Sequence, residues 1–477
     1  MKRLCRRLIM AVGLAWGWFA ATPAGSAEPA YWQWAPTPPM GWNSYDSFGD
    51  SVTEAEVRAN AKYLKEHLLP YGWRYVVIDY RWYDPGAHSS NLADRAGAKL
   101  EMDRFGRLLP AANRFPSATG GKGFKPLADD LHAMGLKFGI HVMRGIPRQA
   151  VAARTPIESE PFTASDAANT GSTCPWCPDM YGVDATKPAG VAYYNSLYKL
   201  YASWGVDFVK VDDLSAPYSD REIEAIRKAL DQCGRPIVFS TSPGDTPVGK
   251  GTHIERNANL WRVSGDFWDG WQHLKPQFMR LDAWTPFRGP GHWPDADMIP
   301  LGKISQRCRD GGRARNTNFT KDEQVTLMSL WAIARSPLML GMNLPENDAW
   351  TLSLLDNDEV LAVNQHSSGN RQLFRKNHRI AWVADSPSGG KYLALFNTGD
   401  ETIDASHAAF KSPLATRNTP AANHAGETVA VPLADLGLST TYRVRDLWKK
   451  STVGEVQGTF APQIPWHGAG LYLLQTK

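Results

Sequence analysis

Two short segments of the chain place a carboxylate at the end of a run of strand-forming residues. One segment ends at Asp212, and the other begins at Arg262 and ends at Asp266. Hydrolysis of a glycosidic bond needs one carboxylate that attacks the sugar or activates water, and one carboxylic acid that protonates the leaving oxygen. We therefore interpret Asp212 as a candidate nucleophile and Asp266 as a candidate general acid and base.

The neighbours of the two carboxylates favour different protonation states. Lys210 lies two residues before Asp212 and hence on the same face of a strand, where its charge keeps a nucleophile ionised. Arg262 is placed to bind sugar hydroxyls near Asp266. Apolar crowding raises the pKa of a carboxyl group and suits a proton donor. The aromatic neighbours of Asp266 are Trp261, Phe267, Trp268 and Trp271.

Two other interpretations of these carboxylates stay open. Either cluster is compatible with a salt bridge that only ends a strand. Alternatively, Asp212, Asp213, Asp295 and Asp297 offer the oxygen ligands that Mg²⁺ and Ca²⁺ prefer. Because the lysine beside Asp212 disfavours a second cation, no metal ligand is predicted.

The spacing of apolar runs predicts the elements that position these residues. From about residue 31 to about residue 343, strand-like runs alternate with helical stretches, which is typical of a closed (β/α)8 barrel. Strands are expected at 75–78, 137–141, 207–211, 236–240, 260–263 and 337–340. Barrel enzymes carry their chemistry at the carboxyl ends of strands. The polar residues at those ends are Asp79, His141, Asp212 and Ser240.

Helix starts and a second domain complete the predicted organisation. Capping boxes are expected at Ser51/Glu54, Ser219/Glu222 and Thr320/Glu323. After about Gln365, strands are expected at 391–396, 442–445 and 470–474, separated by turn residues. We expect a catalytic barrel over residues 28–366 and a β-sandwich over residues 367–477.

The amino terminus and the charge restrict the location and the partners. Residues 1–27 combine basic residues, an apolar run and small residues, as a removable secretory signal does, so we expect a secreted or periplasmic protein. No later run reaches the length of a membrane span, and no membrane anchor is expected. The net charge is +4, with no basic run interleaved with aromatics, so nucleic acid is not an expected partner. The 19 tryptophans fit sugar stacking and core packing equally.

Four cysteines follow the signal segment. They are Cys174, Cys177, Cys233 and Cys308. The spacing of the first two is compatible with a redox pair or half a zinc site, but no second pair completes a tetrahedral set. For an exported protein we favour a disulfide over two free thiols.

Seven motifs in order, over roughly 330 residues, resemble glycoside hydrolase family 27, the family of α-galactosidases and α-N-acetylgalactosaminidases. The motifs are PMGWNS at 39–44, ID at 78–79, KVD at 210–212, the Arg262 to Asp266 spacing, GHWPDADM at 291–298, SPLML at 336–340 and AVNQ at 362–365. The resemblance implies a (β/α)8 TIM barrel followed by an antiparallel β-sandwich, no cofactor, and double displacement with retention. It implies Asp212 as nucleophile and Asp266 as acid/base, with Asp79, Lys210 and Arg262 holding sugar hydroxyls.

The sugar pocket departs from the usual α-galactosidase pattern. Tyr80 replaces a second aspartate that the family uses for the axial 4-OH and the 6-OH. Tyr45 stands where tryptophan is typical, and His141 stands where tyrosine is common. The 240–246 loop lacks the Cys-Glu-Trp sequence that reads the 2-position, and Ser242 takes the Glu position. The expected substrate-binding residues are Trp42, Tyr45, Asp79, Tyr80, His141, Lys210, Ser242 and Arg262.

The sequence therefore predicts first an α-galactosidase-like exo-hydrolase that acts on an oligosaccharide or polysaccharide. Within the same family, the alternatives are a β-L-arabinopyranosidase, whose sugar is galactose without C6, and an isomaltodextranase. Outside that class, the alternative is a sugar-binding protein on a decayed barrel, which predicts loss of one catalytic aspartate. Oligomeric state is not predicted.

Overall fold

The computed structural model describes residues 28–88, 97–399 and 425–476. Residues 1–27, the expected secretory signal, lie outside the described residues. Within these three ranges, no helix is long and apolar enough to cross a bilayer.

Eight parallel strands form the first sheet, in the order β7-β6-β5-β4-β3-β2-β1-β8. The strands are β1 Met40–Asn43, β2 Tyr75–Ile78, β3 Lys137–Met143, β4 Phe208–Asp212, β5 Val238–Thr241, β6 Leu260–Arg262, β7 Trp293–Asp295 and β8 Leu338–Leu340. A parallel bridge between Ile299, just after β7, and Leu340 brings the two edges together. The expected (β/α)8 barrel is confirmed.

Helices follow the strands around the outside of the barrel. Their bounds are Tyr45–Phe48, Glu54–Tyr63, Lys125–Ala133, Arg148–Ala152, Ala164–Ala167, Pro188–Ser203, Asp220–Gln232, Gly251–Glu255, Trp271–Ala283, Lys321–Ala334, Ala349–Leu355 and Asp358–His366. Between β3 and the Pro188–Ser203 helix, a small antiparallel sheet forms from Ile146–Pro147, Ala168–Thr173 and Met180–Val183.

Apolar side chains fill the barrel interior beneath the carboxyl ends of the strands. They include Tyr75, Val77, Phe208, Val238, Leu260, Trp293 and Met339, which form one buried cluster. Because parallel barrel strands are covered on both faces, the strands are short runs of large apolar residues. Polar residues are therefore confined to the strand ends, where the loops begin.

The second domain begins at Ser368, two residues after the last barrel helix ends at His366. Its main sheet is antiparallel, in the order β9-β10-β11-β14-β12-β13. The strands are β9 Ser368–Lys376, β10 Arg379–Asp385, β11 Lys391–Asn397, β12 Tyr442–Asp446, β13 Ser451–Val456 and β14 Ala469–Thr476. Two short ladders cover this sheet, Glu427–Thr428 with Gln463–Ile464 and Val431–Pro432 with Thr459–Phe460. The expected β-sandwich is confirmed.

Some local predictions hold and others are wrong. The Thr320/Glu323 capping box is present with both of its hydrogen bonds. The box expected at Ser51/Glu54 is instead formed two residues later, by Thr53. The reason is that Glu54 binds the Arg58 guanidinium and a distant backbone N–H.

The box expected at Ser219/Glu222 is also wrong. Ser219 is the N-cap residue of the helix but makes no side-chain cap bond. Glu222 instead pairs with Arg144 at 2.6 Å and accepts a hydrogen bond from Tyr194. A buried cation thus outcompetes the local backbone for this carboxylate.

Candidate active site

The carboxyl ends of the barrel strands bring the expected polar residues to one end of the barrel. They are Asp79 directly after β2, His141 in β3, Lys210 and Asp212 in β4, Ser242 directly after β5, and Arg262 at the end of β6. All of these except Lys210 are buried, and the Lys210 side chain is only 15% exposed. Their polar groups therefore interact mainly with one another.

Asp212 is held by two neighbouring strands. Ser242 Oγ donates a hydrogen bond to Asp212 Oδ1, and His141 Nε2 lies 2.9 Å from Asp212 Oδ2. Burial by itself raises the pKa of this carboxyl group. The neighbours His141, Lys210 and Ser242 outweigh burial and hold the pKa of the carboxyl well below its usual range. The expectation of an ionised carboxylate at this position agrees with these surroundings.

Lys210 links this carboxylate to a second buried one. Lys210 Nζ lies 3.0 Å from Asp79 Oδ2, which also accepts a 2.7 Å hydrogen bond from Asn43 Nδ2. Burial opposes ionisation of Asp79, but Lys210 lowers its pKa below the ordinary value. The positive charge of Lys210 therefore stabilises the ionised forms of both Asp79 and Asp212. As carboxylates, both groups are able to accept hydrogen bonds or to attack.

Asp266 lies in a different environment from the one expected. Its side chain is 44% exposed, and its Oδ1 lies 3.2 Å from an Arg262 terminal nitrogen. The aromatic residues around it are largely buried in the core, so they do not enclose the carboxylate. The expectation of apolar crowding at Asp266 is wrong, because a strand-end loop turns its side chain outward. The carboxylate is instead open to a leaving group or to water.

Asp297 is a buried carboxyl group that the sequence suggested only as a metal ligand. Its Oδ2 lies 2.8 Å from the Arg262 guanidinium and accepts a 2.7 Å hydrogen bond from Phe267 N–H. Burial raises the pKa of Asp297 to about 7, although Arg262 opposes the rise. Arg262 thus bridges Asp297 and Asp266. The sequence signal for this bridged carboxyl group is an aspartate just after β7. The strand β7 is itself too short to be predicted from periodicity.

Asp46 is a second carboxyl group near the site that was not predicted from the sequence. It is buried, and burial together with repulsion from Asp297 raises its pKa well above the ordinary value. Because Asp79 and Lys210 also act on this pKa, Asp46 belongs to the same electrostatic group. No periodic or charge signal in its helix, Tyr45–Phe48, distinguishes it.

Tyr80 forms an aromatic wall beside the Asp212 partner His141. The two rings meet edge to face at 5.2 Å, and Trp176 contacts Tyr80 at 6.0 Å. The Tyr80 hydroxyl donates a 3.0 Å hydrogen bond to Cys177 Sγ. Nearby, Asp84 pairs with buried Arg81 at 2.7 Å.

Three of the expected sugar contacts have partners within the protein. Trp42 is fully buried, and its indole donates a hydrogen bond to the Met342 carbonyl at 2.7 Å. Tyr45 reaches the loop after β7, where its hydroxyl lies 2.5 Å from Asp310 Oδ2. Ser242 is fully buried, and its hydroxyl donates a hydrogen bond to the candidate nucleophile.

The carboxylates proposed as metal ligands point to separate partners. Asp213 accepts hydrogen bonds from Arg144 at 2.7 Å, whereas Asp297 binds Arg262. Across residues 28–88, 97–399 and 425–476, no three His, Cys, Asp or Glu side chains form a group suited to a metal ion.

The disulfide expected between Cys174 and Cys177 is absent, and both residues carry free thiols. Cys177 Sγ accepts a hydrogen bond from the Tyr80 hydroxyl, while the Cys174 thiol donates a hydrogen bond to Asp213. The two thiols thus have different partners on different elements, which explains why they do not pair.

Comparisons with known proteins agree with this geometry. Residues 181–366 match the family model described as "Alpha galactosidase A", and residues 377–474 match the "Alpha galactosidase C-terminal beta sandwich domain". An α-galactosidase of Cyamopsis tetragonoloba is 29% identical, over 92% of this chain and 87% of its own.

Solved structures are similar along nearly the whole chain. A family 27 β-L-arabinopyranosidase from Geobacillus stearothermophilus is 50% identical with a TM-score of 0.87, covering 94% of this chain and 99% of its own. A variant of that enzyme was crystallised in complex with arabinose. A candidate α-N-acetylgalactosaminidase from Bacillus halodurans is 45% identical with a TM-score of 0.79, covering 92% of this chain and 97% of its own.

Proposed function

Because the chain belongs to glycoside hydrolase family 27, we propose that it is a retaining exo-glycosidase that removes terminal β-L-arabinopyranosyl residues. α-Galactosidase action, the first expectation from the sequence, becomes the second candidate and is favoured by the α-galactosidase relatives. The observation that carries the proposal is the position of Tyr80. The similarity to an arabinopyranosidase supports it.

The geometry supports a double displacement. Ionised Asp212 attacks the anomeric carbon while Asp266 protonates the departing glycosidic oxygen, which leaves a glycosyl ester on Asp212. Asp266, now a carboxylate, takes a proton from water as that water attacks the same carbon. Two successive inversions retain the configuration. The Asp212 side chain is only 12% exposed, which favours attack on a terminal sugar.

Tyr80 supplies an uncharged surface where a galactose-binding pocket offers a carboxylate. Its ring packs on His141, and its hydroxyl is directed to Cys177. L-Arabinopyranose lacks the hydroxymethyl group of galactose, so its C5 needs no polar partner. By contrast, burying a hydroxyl without a hydrogen bond costs about 1 to 3 kcal/mol in proteins. An aromatic wall therefore disfavours galactose more than arabinopyranose.

Replacing Tyr80 with Asp should raise kcat/KM for an α-galactoside relative to a β-L-arabinopyranoside. A charged acceptor is worth about 1.5 to 3 kcal/mol, which corresponds to roughly a ten- to a hundredfold change in that ratio. The measurement is steady-state kinetics on matched p-nitrophenyl substrates, with the wild-type ratio as the reference. Tyr80→Phe removes only the hydroxyl and should leave the ratio within about twofold. An unchanged ratio in a folded, active Tyr80→Asp variant would exclude Tyr80 as the specificity determinant.

The enzyme's location is a separate proposal. We propose that residues 1–27 direct export and are then removed, because they combine basic, apolar and small residues in the order of a secretory signal. Intact-mass measurement of protein collected outside the cytoplasm should show a chain that begins at Glu28. A mass that includes Met1 would contradict removal.

A further inference from the structure

One face of the helix Trp271–Ala283 lies against the second domain. Positions 271, 275, 278 and 282 follow one another at intervals of four, three and four, and therefore share one face of the helix. Their contacts are Trp271 with His467, Lys275 Nζ with the Gly399 carbonyl (3.0 Å), Phe278 with Phe396 (ring centroids 4.8 Å apart) and Asp282 Oδ2 with Gln372 Nε2 (2.9 Å). The second domain thus supports this helix along its whole length.

His467 is the contact at the end of the helix that faces the active site. Its ring stacks between two indoles, with centroids 3.7 Å from Trp271 and 3.3 Å from Trp466. Its Nδ1 lies 2.8 Å from buried Glu323 Oε1, and Thr326 donates a 2.7 Å hydrogen bond to its carbonyl. Because both polar contacts are buried, the stack cannot shift without leaving a polar group unpaired.

Trp271 stands close to the general acid. Only four residues separate it from Asp266. His273, two residues further along, donates a hydrogen bond to the Asp266 backbone carbonyl, while burial lowers the pKa of His273 and keeps it neutral. On the barrel side, Phe267 N–H binds Asp297 at 2.7 Å. The backbone at Asp266 is therefore fixed between the barrel and a helix that rests on the second domain.

We propose that the second domain positions the general acid, with His467 acting through Trp271 and its helix on the orientation of the Asp266 carboxyl group. His467 is a positioning residue, and the inference rests on the proposed role of Asp266. Proton donation requires the carboxyl group to lie within about 2.6 to 3.2 Å of the leaving oxygen. The Asp266 side chain is 44% exposed and pairs with Arg262, so the backbone carries much of its positioning.

The test is His467→Ala in the full chain, assayed on aryl glycosides whose leaving groups differ in pKa. A misplacement of about 1 Å costs on the order of a hundredfold. We therefore expect kcat/KM on the poorest leaving groups to fall by at least tenfold, while kcat/KM on the dinitrophenyl glycoside changes by less than about twofold. If His467→Ala does not fold, Trp466→Ala provides the test. This change removes the half-buried outer ring of the stack and should cause a smaller loss of kcat/KM, again confined to the poor leaving groups.

Two control variants separate positioning from general loss of stability. Trp271→Phe retains an aromatic ring in the stack, so the dependence of kcat/KM on the leaving group should stay close to that of the wild type. Leu395→Ala creates a cavity in the separate core of the second domain and should lower the melting temperature without changing that dependence. Equal loss on all leaving groups in His467→Ala would overturn the inference.

Asp266→Ala, assayed in parallel, separates this inference from the proposed function. If Asp266→Ala shows strong leaving-group dependence and the His467 and Trp466 variants show none, only the positioning role fails. If Asp266→Ala shows no such dependence, the assignment of the general acid itself fails.

Discussion

Replacing Asp212 with Asn should lower kcat/KM by roughly 10⁴- to 10⁶-fold, the size of loss seen when a member of a nucleophilic catalytic unit is removed. Asn has the size of Asp but no charge, so it cannot form a glycosyl ester. Its surroundings, Ser242 and His141, favour a charged acceptor at this position. Added azide should restore turnover of an activated glycoside and yield a glycosyl azide of inverted configuration.

Asp213→Asn is the matched control, because it makes the same substitution one residue further along. Asp213 pairs with Arg144, outside the proposed reaction path, so its replacement should reduce thermal stability and leave most of the activity. NMR of the first anomer released by the wild-type enzyme should show retention. An inverted first product would contradict the assignment of Asp212 as nucleophile. Retaining enzymes hold their two carboxyl groups about 5 to 5.5 Å apart, and inverting enzymes hold them about 6.5 to 9.5 Å apart.

Replacing Asp266 with Ala should slow hydrolysis of unactivated glycosides by about a hundred- to ten-thousandfold, the usual contribution of general acid catalysis. Substrates with dinitrophenyl leaving groups need little protonation, so their glycosylation step should change little. In this variant, azide should intercept the glycosyl ester and produce a glycosyl azide of retained configuration. The measurement is kcat/KM across a leaving-group series, with product configuration determined by NMR.

Asp245→Ala is a suitable control for this change. Asp245 is a solvent-exposed carboxylate that lies 3.7 Å from Arg280. Its loss should leave the leaving-group dependence of the wild type unchanged. A uniform loss in Asp266→Ala on all substrates, without azide rescue, would show that Asp266 has a structural role only.

The sequence by itself determined the fold class, the family and the enzyme class. Strand-helix alternation and the run of strands after about Gln365 are local patterns, and the structure confirms the barrel and the β-sandwich that they predict. The strands β1 and β7 escaped prediction because segments of three or four residues that contain Gly or Pro show no periodicity. The roles of Asp212 and Asp266 stay predictions.

Only the tertiary structure decided how the site residues meet. It placed Ser242 and His141 on Asp212, directed the Tyr80 hydroxyl to Cys177, and turned Asp266 outward. Ser242 and Asp212 are 30 positions apart in the sequence, and Tyr80 and Cys177 are 97 positions apart. Hydrogen bonds depend on distances and angles that barrel closure and loop geometry set, whereas residue type and spacing only identify which groups are able to form them.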